Sequence, residues 1–148
     1  MDELFELRRY LEAGDYNAAL QVLDELDELS RKDTIYKIQS FMEILLIHLM
    51  KLQAERRTTR LWELSVRLSC RRIQRLNKRR KAGGWFLTTE ELREALEEVY
   101  DDAVDRAAFE AFKGQYAMDE LAAMLNRQEV LAQALGLIQP EQEERMQS

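Results

Sequence analysis

The residues with chemical potential gather in one stretch, ILLIHLMKLQAERRTTRLW, residues 44–62. It holds His48, the single histidine of the chain, then Glu55, a pair of arginines and Trp62. A histidine can act as a general base, a metal ligand or a buried hydrogen-bonding group. A zinc site on a helix wants a second ligand three or four residues on. Those positions are Lys51 and Leu52, so the spacing for a metal is missing, and Glu55 is the nearest carboxylate ahead. At helical offsets His48 shares a face with Phe41, Ile44, Leu45 and Leu52. The expectation is a neutral histidine donating to a carbonyl or carboxylate inside a bundle. Cys70 is read as a small buried apolar residue, because a nucleophile would need a base beside it and a depressed pKa. KAGGWF has neither phosphate-loop spacing nor a dinucleotide fingerprint. No metal, cofactor, small-molecule ligand or catalytic residue is assigned.

The second chemical feature is charge. Residues 1–50 carry 5 basic and 11 acidic side chains, residues 51–81 carry 12 and 2, and residues 82–148 carry 5 and 15. The net charge of −6 therefore conceals a basic centre between acidic flanks. On one helix from Arg56 to Lys78, at 100° per residue, Arg56, Arg60, Arg67, Arg71 and Lys78 fall within a sector of roughly 60°. Trp62, Val66, Ser69, Cys70 and Ile73 face the other way, toward a core. Arg79, Arg80 and Lys81 extend the charge. A second stripe, Glu90, Glu94, Glu97, Asp101 and Asp105, recurs at three and four residues on the next helix. Two stripes of opposite sign can pair within the fold or across a subunit contact. Left open, the arginines would suit phosphates.

These residues need helices to hold them. The chain has five glycines and one proline among 148 residues, 46% hydrophobic and 34% charged. That composition gives an all-α bundle of five to six helices, antiparallel neighbours joined by short connections. The first helix is predicted over residues 3–13, stopped by Gly14, with Asp15 capping the second. LEAGDYNAALQVLDEL looks like half a tetratricopeptide repeat, but no second copy follows, so it reads as a helical hairpin. Asp33 is expected to cap a third helix from Thr34 into the fifties. A fourth continues it or restarts near Thr58–Thr59, and Gly83–Gly84 ends that one. Thr88 and Glu91 form a capping box for a fifth helix reaching about Phe112. A last pair divides at Asn126. WFL is the one strand candidate. The whole reads as a single domain over 1–138 with a polar tail, 139–148.

The N-terminus is acidic and lacks a signal peptide's apolar core. The longest apolar run, Ile44–Met50, is far short of the roughly 20 residues of a membrane span. One cysteine fits a reducing compartment, so a cytoplasmic protein with no membrane contact is expected.

Several pieces in order carry a family resemblance: LEAGDYNAALQVLDELDELSRKD, ILLIHLMKLQAERRTTRLW, the spaced arginines, and EVYDDAVDRAAFE. With them the chain resembles a bacterial family catalogued as domain of unknown function number 29. The most specific part is Leu45, Leu46, His48, Leu49, Lys51, Glu55, Arg56, Arg57 and Trp62. The segment after Gly114 resembles the family more loosely. The resemblance implies a helical bundle and makes His48, Lys51, Glu55, Arg57 and Trp62 a family motif; it supplies no activity. The expected function is non-catalytic association with a protein partner or a second copy through the arginine helix. The alternatives are RNA or DNA binding through the same arginines, and an enzyme centred on His48.

Overall fold

A computed structural model describes residues 2–78, 83–110 and 114–140. Among them the chain forms six helices: α1 Glu3–Ala13, α2 Tyr16–Glu55, α3 Arg60–Asn77, α4 Thr89–Glu110, α5 Met118–Met124 and α6 Arg127–Ile138. The all-α expectation holds. The strand candidate contributes a single antiparallel bridge between Lys78 and Trp85. Phe112 and residues 141–148 of the tail lie outside the described residues.

Local chemistry explains most boundaries. Gly14 takes the left-handed conformation that ends α1, at φ 73°. Its N–H donates to Leu11, and the Asp15 N–H donates back to Tyr10 at 2.9 Å, closing the last turn. The Asp15 carboxylate then accepts from the Ala18 N–H at 3.2 Å and starts α2.

The sequence reading failed at Asp33. α2 runs unbroken for 40 residues, and no new helix begins at Thr34. A capping side chain starts a helix only where the backbone has already left one. Nothing between Tyr16 and Glu55 is glycine or proline, so no break occurs. The Thr34 hydroxyl instead donates to the Ser30 carbonyl one turn back, at 3.0 Å.

α2 stops at Arg56, whose φ of 54° makes it the one non-glycine residue in left-handed conformation among those described. The Thr59 hydroxyl accepts from the Trp62 N–H at 3.1 Å and opens α3. Beyond α3, Gly83 and Gly84 both sit at φ 72°, which a side chain would strain. Thr88 and Glu91 exchange hydrogen bonds of 3.1 Å in the expected capping box before α4. Asn126 accepts from the Glu129 N–H at 3.1 Å, starting α6.

The chain divides into two compact units, Met1–Tyr36 and Lys37–Ser148. In the first, Ala19 and Val22 are the buried side chains and α1 buries none. In the second, Ile38, Met42, Leu45, Leu46, Leu49 and Met50 of α2 lie buried with Ile73 of α3, Leu92 and Leu96 of α4, Leu121 of α5, and Val130 and Ile138 of α6. Polar ties fix its register. The Gln39 amide donates to Glu98 at 2.8 Å, and Glu43 pairs with Arg106 at 3.2 Å. Gln53 accepts from the Asn126 N–H at 2.7 Å.

Candidate functional site

The α2–α3 corner gathers the motif residues. The Lys51 ammonium lies 5.8 Å from the centre of the Trp62 ring, and the Arg57 guanidinium lies 5.4 Å from it. Both distances suit cation–π attraction. Glu55 pairs with Arg57 at 3.5 Å. The left-handed turn at Arg56 and the Thr59 cap bring these groups together, because they fold the start of α3 back toward the end of α2. Trp62 is thus half-buried under cations, a structural clasp for the corner.

His48 is half-buried on α2. Burial and then the Lys51 charge push its pKa below the usual 6.5, so the ring is neutral at physiological pH. Its Nδ1 is buried and has no hydrogen-bond partner among the described residues, so at that nitrogen the expected donation inside the bundle is absent. Cys70 is buried on α3, and burial pushes its thiol up to about 11. A thiol so placed stays protonated and is a poor nucleophile. Among the described residues no three His, Cys, Asp or Glu side chains are grouped to hold a metal.

The basic stripe is shorter than a continuous helix would make it. Arg56 occupies the turn before α3, and Lys78 sits beyond its last residue in extended backbone. Arg79, Arg80 and Lys81 lie outside the described residues. Arg60, Arg67 and Arg71 remain on one face of α3, all exposed, with no ion-pair partner among the described residues. The inner face buries Ser69, Cys70, Ile73 and Asn77.

Two residues of the acidic stripe are paired elsewhere. Asp101 pairs with Arg127 of α6 at 3.1 Å, and Glu90 pairs with Arg93 on its own helix. Arg127 also covers the Tyr100 ring at 4.5 Å. Glu94, Glu97 and Asp105 are exposed. Among the described residues no ion pair joins α4 to the arginines of α3.

One feature was missed from the sequence. Leu61, Leu64 and Leu68 are 70%, 47% and 39% exposed. At 100° per residue they lie about 100°, 40° and 80° round from Arg60, while Arg67 and Arg71 lie at about −20° and 20°. The leucines therefore form a stripe directly beside the arginines on the outward face. Their spacing was readable; that the core would leave them uncovered was not. At the edge of this face, Leu49, Leu52, Val66, Cys70 and Leu137 floor an open groove of about 430 Å³, rimmed by Glu63, Arg67 and Arg71.

A family model described as domain of unknown function DUF29 matches residues 10–133. The chain belongs to this family. The DUF29 match spans the Trp62 corner and the whole of α3, so both are parts of the family domain. No curated protein and no solved structure matches the chain. Among the described residues no helix is long and apolar enough to cross a membrane.

Proposed function

We propose that this DUF29 chain is a non-catalytic cytosolic protein that associates with another protein through the outward face of α3. The observation that carries the reading is the exposed stripe of Leu61, Leu64 and Leu68 lying directly beside Arg60, Arg67 and Arg71, which have no ion-pair partner among the described residues.

Magnitudes favour protein over nucleic acid. Fully burying a leucine contributes roughly 1.5–3 kcal/mol. Three leucines that are about half exposed therefore hold a few kcal/mol in reserve for a partner. An exposed ion pair contributes only about 0–1 kcal/mol. The leucines thus supply affinity, and the arginines beside them select an acidic partner and steer it in. A phosphate backbone would use the arginines and leave the leucines wet. The unpaired arginine row is what supports nucleic acid as a second reading. No exposed aromatic accompanies it on α3 to stack bases. The protonated Cys70 and the neutral His48, whose buried Nδ1 has no hydrogen-bond partner among the described residues, support the non-catalytic reading.

A photo-crosslinking residue placed at Leu61, the most exposed of the three, tests this in cells. Nuclease-resistant protein adducts that disappear with Arg67→Glu/Arg71→Glu are expected. Adducts to RNA or DNA, or none of either kind, would overturn the proposal.

A further inference from the structure

The first unit carries a face that matches α3 in pattern and opposes it in sign. Tyr16, Leu20 and Leu23 of α2 are 66%, 57% and 45% exposed. At 100° per residue Leu20, Leu23, Asp24 and Asp27 lie at about 40°, −20°, 80° and 20° from Tyr16. Leucines share this face with carboxylates, as the leucines of α3 lie beside arginines. Asp24 and Asp27 are exposed and have no ion-pair partner among the described residues.

The wider composition agrees. Residues 1–36 hold ten carboxylates and four cationic side chains, whereas α3 holds five arginines and one glutamate. Of the sixteen large apolar side chains that stand exposed among the described residues, eight fall within residues 1–36 and three on α3. Apolar side chains left open together on one helix face suit an interaction site. Like charge argues against the acidic face meeting its own copy, and the arginine face is excluded from self-pairing in the same way. Each face fits the other.

We infer that a second copy of this chain is the partner, its Leu20–Asp27 acidic face seated on the Leu64–Arg71 face of α3. The inference rests on the reading of α3 above and names its partner. Each copy presents both faces, so the contact can be made twice between two molecules or once in a growing chain. The leucines bury against one another and the carboxylates meet the guanidinium groups around them.

Charge exchange between two variants tests it. Arg67→Glu/Arg71→Glu makes both faces acidic; Asp24→Arg/Asp27→Arg makes both basic. All four positions are exposed, and circular dichroism checks that each variant keeps its helices. Sedimentation velocity should show the unaltered chain assembling, less so at high salt. Either variant by itself should assemble roughly 30-fold more weakly or worse, because like charges are forced together. Mixed in equal amounts the two variants should assemble again, since every contact then joins opposite charges. An unaltered chain that stays monomeric overturns the inference and leaves the α3 reading to the crosslinking experiment. So does a mixture that fails to assemble, which would place the charge match within one chain or nowhere. Loss with the arginine variant alone keeps the α3 surface and removes the acidic face as its partner. Assembly unaffected by either variant removes both.

Discussion

Asn77, 1% exposed, straps the α3–α4 connection, and its removal has a calculable cost. Its side-chain Oδ1 accepts from the Leu87 N–H at 2.6 Å, and its Nδ2 donates to the Leu87 carbonyl at 3.2 Å. Its own carbonyl accepts from the Phe86 N–H at 2.7 Å. Asn77→Ala removes two buried hydrogen bonds and leaves both Leu87 backbone groups unsatisfied. At about 1–3 kcal/mol for each of the two stranded groups, the loss is about 2–6 kcal/mol. For a chain with an m-value near 2 kcal/mol per molar urea, the unfolding midpoint falls by about 1–3 M. Trp85 fluorescence reports it, since that ring stands on the strap. Asn77→Asp sharpens the test. At neutral pH it sets a carboxylate against the Leu87 carbonyl; once protonated it can donate there. Burial raises the folded-state pKa of that new acid above the unfolded value, so the variant regains stability as pH falls through the raised value. A midpoint shift below about 0.3 M for Asn77→Ala, with unchanged exchange of the Phe86 and Leu87 amides, would refute the reasoning.

Three other outcomes follow from single side chains. His48 has a folded pKa below 6.5, so its contribution is complete above pH 6.5 and is lost as pH falls through the lowered value. Unfolding free energy measured from pH 8 to 5 should decline more in the parent than in His48→Gln; parallel curves would contradict this. With its pKa at about 11, Cys70 should alkylate at pH 8 about 100-fold more slowly in the native chain than in urea. Equal rates would mean the thiol is open to solvent. Thr59→Ala should cost about 1 kcal/mol and red-shift Trp62 emission, because the cap seats that ring at the corner. An unshifted spectrum would separate the cap from the corner.

The boundaries legible in the sequence were those with both a stop and a start. Gly14 with Asp15 shows this, as does Gly83–Gly84 ahead of the Thr88–Glu91 box. Asp33 offered a start without a stop, and the helix ran through it. The stop at Arg56 was hidden for the opposite reason: a left-handed turn carried by arginine has no glycine to announce it. That turn also removed Arg56 from the stripe, since a phase counted along one helix does not survive a break. The partner of Asp101 proved to be Arg127, on a helix 26 residues away, which periodicity along α4 cannot reveal. Periodicity likewise set one apolar stripe of α3 toward the core, without showing that leucines would stand open on the other side. Cys70 and Ile73 are buried as expected and Trp62 and Val66 half-buried, while Leu61, Leu64 and Leu68 were left outside.

The claim that most needs testing is that leucines and arginines on α3 act together. With the crosslinker at Leu61, adduct yield can be compared between Leu64→Ser/Leu68→Ser and Arg67→Gln/Arg71→Gln. The serine pair should abolish protein adducts, and the glutamine pair should reduce them severalfold. Full yield with the serine pair, and loss only with the glutamine pair, would contradict it and make α3 a reader of charge alone.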